Sequence, residues 1–332
     1  MSNSRLTLAL DARDIALPEA GRIAIYRPRA GFDLSALPQE RVHVIQGFRP
    51  DHDAFEAAGY ATARAPEGAY SAAVICATRA KAEAHALIAD AVARVEGGPI
   101  VLDGQKTDGI DSLLKELRKR ADIGAVISKA HGKIFVMTGA KPADFADWID
   151  PGPRDIGEGF VTRLGVFSAD KIDRGSIALA QALPDKLKGR VADLGAGWGY
   201  LSRALLENPK ITECHLYEAE AAALDCARQN ITDPRAHFHW ADATILPKEA
   251  PFDAVICNPP FHTARNADPA LGRAFIASAA QMLAPNGAVW LVANRHLPYE
   301  AALASLFRDV NEVAGDKAFK VLHAARPQRA KG

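Results

Sequence analysis

The sequence predicts an α/β protein made of two tandem domains, each a mostly parallel sheet flanked by helices. Three observations carry this expectation. The chain has 332 residues, which suits two domains of typical size, about 100–200 residues each. In both halves short Val-, Ile- and Leu-rich runs alternate with helical patterns, the rhythm of strands covered by helices. Finally, Ala73-Val74-Ile75-Cys76 recurs letter for letter as Ala254-Val255-Ile256-Cys257, and each copy precedes a helix, a glycine-containing turn and another apolar strand, as in a duplication. The stretch from Asp150-Pro151-Gly152-Pro153 to Gly159 is rich in Pro, Gly and Asp. It sets the expected boundary, giving domains 1–150 and 151–332.

In the first half, strands are expected near 42–46, 72–76, 99–103, 123–127 and 133–138, with helices near 79–95 and 109–120. In the second, strands are expected near 190–194, 213–218, 236–240, 253–257 and 288–293, with helices near 199–207, 220–230, 269–284 and 298–308. Ala318 to His323 reads as an antiparallel edge strand on the mostly parallel sheet. The first half keeps only Gly47 after its opening strand, and its counterpart of the duplicated strand ends in Ala77-Thr78-Arg79-Ala80, without a comparable acceptor or ring. One working site is therefore expected, in the second half, with the first copy degenerate.

Composition narrows the function classes. Hydrophobic residues make up 48% of the chain and charged residues 24%, the mix of an ordinary globular protein. Forty Lys plus Arg balance forty Asp plus Glu, so a nucleic-acid partner has to be held by a local patch rather than by overall charge. The densest basic stretch, Lys115, Arg118, Lys119 and Arg120, reads as a solvated helix face. No apolar run approaches the roughly 18 residues of a spanning helix, and no signal-peptide core is seen; no membrane partner is expected. Cys76, Cys214, Cys226 and Cys257 form no CxxC pair, which points to a reducing cytoplasm and away from a zinc knuckle. His237 and His239 alternate with Phe238 and Trp240 and read as packing residues, so no metal is expected.

The chemistry-bearing residues cluster in the second half. Arg190-Val191-Ala192-Asp193-Leu194-Gly195-Ala196-Gly197-Trp198-Gly199 is an apolar strand, an acid near its end and a Gly-x-Gly-x-Gly turn into a helix. Such glycines permit a tight turn and let a ligand approach the backbone at the carboxyl end of a strand. The spacing differs from the dinucleotide fingerprint. An acid at 193 suits a methionine ammonium group and would repel a phosphate. Glu218 ends the next strand, where an acid accepts ribose hydroxyls, and Asp242 follows the third, within reach of an adenine amino group. Three acids after three successive strands, with Gly195, Ala196, Gly197 and Gly199 between, predict an S-adenosylmethionine site.

The fourth strand, Phe252 to Cys257, runs into Asn258-Pro259-Pro260-Phe261-His262. An exocyclic amine on a nucleobase is a poor nucleophile because its lone pair is delocalised into the ring. The Asn258 side-chain oxygen and the Pro259 carbonyl can each accept one N–H, turning the lone pair out of conjugation. Pro259 and Pro260 stiffen the loop and carry no N–H to compete. Phe261 is expected to stack on the base, swung out of any duplex, and His262 to line the substrate pocket rather than act as a base.

With these motifs in view, the chain resembles class I methyltransferases of the small-domain type that modify guanine N2 in ribosomal RNA. The resemblance rests on Gly165-Val166-Phe167-Ser168, Asp173-Arg174-Gly175-Ser176, Asp193 to Gly197, Asn258 to His262, and Val292-Ala293-Asn294-Arg295-His296-Leu297-Pro298-Tyr299. It implies two Rossmann-like methyltransferase domains with an inactive N-terminal copy, whose loop Gly104-Gln105-Lys106-Thr107-Asp108-Gly109 also matches. It implies methylation of a guanine in small-subunit 16S rRNA, or large-subunit rRNA in a sister group. It adds Phe167 to the cofactor contacts and Asn258 to both cofactor and catalytic sets. Glu218 stands where relatives often have Asp. The expected partner is ribosomal RNA or a ribosomal subunit, met by a monomer whose first half docks substrate or supports folding. The residues leave open a protein glutamine N5-methyltransferase, a DNA-adenine methyltransferase and a non-catalytic ribosome-assembly factor.

Overall fold

The structure is a computed structural model that describes residues 4–247, 250–260 and 269–328. The chain divides into two compact units, Met1–Gly152 and Pro153–Gly332. The first contains strands β1 (Ile23–Tyr26), β2 (Val42–Ile45), β3 (Ala61–Ala63), β4 (Ala72–Cys76), β5 (Ile100–Gln105), β6 (Asp122–Lys129) and β7 (Gly132–Thr138), with helices α1 (Arg5–Asp11), α2 (Arg49–Ala57), α3 (Lys81–Arg94) and α4 (Ile110–Leu117). The second contains β8 (Gly189–Leu194), β9 (Ile211–Glu218), β10 (Ala236–Trp240), β11 (Phe252–Cys257), β12 (Leu283–Asn294), β13 (Phe307–Gly315) and β14 (Phe319–Pro327), with α5 (Arg174–Ala182), α6 (Tyr200–Leu206), α7 (Ala221–Asn230), α8 (Pro269–Met282) and α9 (Tyr299–Leu306).

The two sheets have one topology. Their strand orders are β3-β2-β1-β4-β5-β7-β6 and β10-β9-β8-β11-β12-β14-β13, parallel throughout except for the last two strands of each. Helices cover both faces, so the central strands are apolar on both sides. In β11, Val255 and Cys257 join one core with Phe275 and Ile276 of α8 and Leu303 of α9, while Ala254 and Ile256 join another with Leu179 of α5, Leu201 of α6 and Leu224 of α7. In the first unit, Ala73 and Ile75 of β4 pack with Ile88 of α3 and Leu113 of α4; Ala72 and Val74 pack with Leu6 of α1 and Phe55 of α2.

This alternation corrects the reading of the repeated tetrapeptide. The two copies lie on equivalent strands, but letter-for-letter alignment puts matching residues on opposite faces, since side chains alternate along a strand. Ala73 packs under the helix that follows its strand, whereas Ala254 packs on the other face. The true correspondence is shifted by one, with Ile75 matching Cys257. Backbone bonds agree: Arg27 N donates to the Ile45 carbonyl as Gly195 N donates to that of Tyr217, both at 2.9 Å.

Other expectations also needed correction. The opening strand of the first unit is β1, not β2, so Gly47 follows the second strand. Of Ala318 to His323, the residues from Phe319 onward fall within β14, which is antiparallel but interior, between β12 and β13. The edge strand is β13, and its first residues lie where the helix of 298–308 was expected to end. Its sequence, Phe-Arg-Asp-Val-Asn-Glu-Val-Ala-Gly, is too polar to signal a strand, because an edge strand needs little apolar surface. Among the described residues, no helix is long and apolar enough to cross a membrane.

Ile256 is fully buried. Ile256→Ala is expected to destabilise the second unit by about 2–5 kcal/mol, measured as a lower urea midpoint; an unchanged midpoint would contradict this packing.

Candidate functional site

Strand β8 pairs with β9 on one side and β11 on the other, with Leu194 opposite both Tyr217 and Cys257. The residues that follow, Gly195 and Asn258, thus leave the sheet side by side at its carboxyl edge, the usual ligand position in open α/β sheets. A cleft there is lined by Phe167, Ser168, Asp173, Ser176, Gly195, Ala196, Gly197, Trp198, Tyr200, Leu201 and Asn258.

The glycine turn is fastened to β9. Gly195 N and Ala196 N donate to the Tyr217 carbonyl at 2.9 and 3.1 Å, and Gly197 N donates to Glu218 Oε2 at 2.7 Å. Gly197 has φ +57 and a Cβ there would meet nothing within 4 Å among the described residues, whereas a Cβ on Gly199, φ +91, would come within 2.8 Å of Ile231 Cδ1. Open space at Gly197 suits a ligand, while Gly199 lets the turn pack on α7 and its following loop.

The three acids are placed differently. Asp193 is fully buried, with Oδ2 accepting the Ser202 hydroxyl at 2.7 Å and Oδ1 without a partner among the described residues. Burial pushes its carboxyl up to about 7, against the opposing effect of the Ser202 bond. A buried oxygen left over in this way is what a cationic ligand group or a water would complete. Glu218 accepts from Gly197 N and, through Oε1, from Glu220 N at 2.7 Å, so it ties the glycine turn to the end of β9; burial raises its pKa. Carboxylate oxygens keep further lone pairs for hydroxyl donors. Asp242 Oδ1 accepts the Thr244 N–H and hydroxyl at 2.8 and 2.6 Å, which closes the turn after β10.

At the tip of β11 the Asn258 side chain donates from Nδ2 to Asp173 Oδ2 at 3.0 Å and Ser176 Oγ at 2.7 Å. Pro259 is buried and Pro260 exposed. Phe261 and His262 lie outside the described residues. Phe167 is 66% exposed although it lines the cleft, and its carbonyl is held by Trp198 Nε1 at 3.0 Å. Next to it, Ser168 takes the left-handed φ of +53, a conformation that recurs at functional segments.

Sequence reasoning gave no role to Asp173, Ser176, Trp198, Tyr200 or Leu201. An Asp three residues before a Ser at the start of a helical pattern is an N-cap signal that would have found the first two. Conversely, β9 brings Glu213 and His215 beside His237 of β10, with donor atoms within 4.8 Å of one another, a juxtaposition invisible in the spacing of the histidines. Arg190 Nε holds Glu213 Oε2 at 2.6 Å and, with His215, pulls its carboxyl down to about 2. The group is thus an ion-paired patch at the base of the sheet.

The first unit keeps the backbone of this site and loses its chemistry. Shifting by the correct register, Ile25 stands for Asp193, Arg27 for Gly195, Gln46 for Glu218 and Cys76 for Asn258. Arg27 even retains a positive φ, +55 against +72 for Gly195, and its guanidinium reaches Gln46 Oε1 at 3.0 Å and Glu83 at 3.2 Å. Gln46 Oε1 accepts from Phe48 N at 2.9 Å as Glu218 Oε1 accepts from Glu220 N.

Comparisons with known proteins cover the second unit alone in one case and nearly the whole chain in others. Residues 158–323 match the family model described as methyltransferase small domain. The chain is 31% identical over 235 residues to ribosomal RNA small subunit methyltransferase C of Shewanella loihica, covering 68% of each chain. It is 29% identical over 337 residues to the protein of the same name from Idiomarina loihiensis, covering 97% of this chain and 99% of that one. Its fold matches a solved structure of a T. thermophilus 16S rRNA N2 G1207 methyltransferase in complex with AdoMet and guanosine. The TM-score is 0.77 at 25% identity, over 98% of this chain and 93% of the other.

The Asp193 environment makes stability depend on pH. A folded-state value near 7 against an ordinary 3.8 means that between these values the folded protein holds a proton the unfolded chain has released, so stability falls as pH rises through that window. Asp193→Asn is expected to flatten the profile and to raise stability at pH 8 by about 1–3 kcal/mol. A wild-type urea midpoint identical at pH 5 and pH 8 in this variant pair would contradict the burial of an ionisable group.

Proposed function

The chain belongs to the methyltransferase small-domain family, and from that premise we propose that it transfers a methyl group from S-adenosylmethionine to the exocyclic N2 amine of a guanine in small-subunit ribosomal RNA. One observation carries the reading: the glycine turn after β8 and Asn258 after β11 line a single cleft, so a methyl donor on the turn and an amine on the asparagine would meet there.

Gly195, Ala196 and Gly197 would hold the donor against open backbone, Asp193 would meet its ammonium group, and Glu218 and Asp242 its ribose and adenine. Phe167 would cover it. When bound, S-adenosylmethionine supplies a methyl on a sulfonium, so the amine nitrogen forms a bond to that carbon as the carbon–sulfur bond breaks. The work left to the protein is positioning and electrostatics. Asn258 Oδ1 and the Pro259 carbonyl would each accept a hydrogen bond from one amine N–H, biasing the nitrogen toward tetrahedral geometry and its lone pair toward the methyl. Pro260 stiffens the loop. Phe261 and His262, outside the described residues, would stack on the base and line its pocket. The surplus proton leaves to water once the nitrogen has gained the methyl, so no side-chain base is required.

The name of the T. thermophilus relative, with guanosine bound, supports guanine N2 over a glutamine amide, and the names of the curated relatives support the small subunit. The first unit, with Arg27 and Cys76 in place of Gly195 and Asn258, is read as a degenerate copy that docks substrate or supports folding. A monomer would suffice, since one unit contains the whole cleft.

Asn258→Ala is expected to lower labelled methyl transfer to naked rRNA or isolated 30S subunits by about 100-fold or more, the usual cost of one preorganised polar contact in the transition state, with the fold intact. Nucleoside mass analysis identifies the product. Label on glutamine, or none on guanine with wild-type protein, would overturn the reading.

A further inference from the structure

We infer that Asp173 and Ser176 are positioning residues that fix the polarity of the Asn258 carboxamide, keeping its oxygen as the end offered to the amine. The inference rests on the methyl-transfer reading above and adds to it the device that makes Asn258 an acceptor rather than a donor.

An asparagine amide is ambivalent. Its oxygen accepts and its nitrogen donates, and the torsion that exchanges them is broad and roughly two-fold. A substrate amine needs the oxygen. With the amide reversed, two donors would face each other and the lone pair would stay in conjugation.

The structure removes this ambiguity from outside the sheet. Asp173 caps α5: its backbone is extended, and Oδ2 accepts the Ser176 N–H at 2.8 Å. The same Oδ2 receives Asn258 Nδ2 at 3.0 Å, and the hydroxyl oxygen of Ser176 receives it at 2.7 Å. Both N–H bonds of the amide are thereby used. A carboxylate oxygen only accepts, whereas the Ser176 hydroxyl can turn to donate, so a flipped amide would set its oxygen against Asp173 Oδ2 and lose that bond, which makes Asp173 the residue that sets the polarity and Ser176 the second acceptor. Ser176 is 8% exposed, which makes a half-satisfied arrangement costly. Gly175 completes the device, for a Cβ there would stand 2.9 Å from Asp173 Oδ2 and 3.4 Å from the Phe319 ring. Eighty-two to 85 residues separate the partners in sequence.

The chemistry that follows is selective. A cleft presenting an oxygen at this point favours a group that brings N–H donors, an amino group on a base, over a ring carbonyl or an unprotonated ring nitrogen.

The test uses full-length protein and compares Ser176→Ala, Asp173→Ala, Asn258→Asp and the double variant Asp173→Asn/Asn258→Asp. The first two are expected to lower kcat about 10-fold or more, with KM for rRNA and the Kd for S-adenosylmethionine within about threefold of wild type, the pattern of a contact used in the transition state. Asn258→Asp sets two carboxylates in contact and is expected to lose about 100-fold. In the double variant an amide nitrogen at 173 can donate to a carboxylate at 258, at the expense of the α5 cap made by that same atom, and activity is expected to recover at least about 10-fold over Asn258→Asp, a coupling that independent sites would not show. Single variants with wild-type kcat, or a double variant no better than Asn258→Asp, would overturn the inference. A second readout needs no substrate: in 15N-labelled wild-type protein both Asn258 side-chain amide protons are expected to be protected from exchange, and Ser176→Ala to expose one. Free exchange of both in wild type would overturn the inference, whereas protected protons in a protein that methylates no guanine would overturn only the functional reading.

Discussion

Everything at the site depends on the parallel pairing of β8 with β11. Because Leu194 and Cys257 are register partners on paired parallel strands, the next residues of both strands emerge together, and the chain order places β9 on the far side of β8. That reversal of winding opens the sheet edge, and it brings a glycine turn and an asparagine 63 positions apart in the sequence into one cleft. The helices can vary around this arrangement; the pairing cannot slip by even one residue without turning every side chain of the strand to the other face. The full burial of Ala192, Leu194, Val255 and Ile256 makes such a slip prohibitive.

The first unit shows the same constraint with the chemistry removed. Its strands keep order, register and even the left-handed residue at the first turn, yet that residue is Arg27. A positive φ in a residue with a Cβ costs about 1 kcal/mol or more, and here the guanidinium's bonds to Gln46 and Glu83 offset it. The turn thus keeps at Arg27 the left-handed backbone that Gly195 takes in the second unit. Burial raises the Cys76 thiol well above its ordinary range, so the residue in place of Asn258 is an inert apolar group rather than an alternative nucleophile.

Much of this was legible in the sequence, and the failures have physical causes. The central strands of the second unit announced themselves because burial on both faces demands continuous apolar runs. Strand β13, largely polar, carried too little pattern, and β1 was missed although β2, equally short, was expected. The repeated tetrapeptide pointed to equivalent strands, but letters carry no facing, and only the packing of α3 and α8 exposed the one-residue shift. At the site, Gly195, Ala196, Gly197 and Asn258, which the motifs single out, and Phe167, which the resemblance adds, line one cleft. Glu218 was recognised as a strand-end acid, but its bond to Gly197 N required coordinates. So did the grip of Asp173 on Asn258, since a cap and a strand tip far apart in the chain have no shared local signal.

The most direct measurement is a crystal structure of the protein with S-adenosylhomocysteine and guanosine. If the pairing of β8 and β11 builds one reaction centre, the sulfur will lie against the Gly195–Gly197 turn and the guanine N2 will sit at about 3 Å, hydrogen-bond distance, from Asn258 Oδ1. A nucleoside bound elsewhere, or facing Asn258 Nδ2, would contradict it.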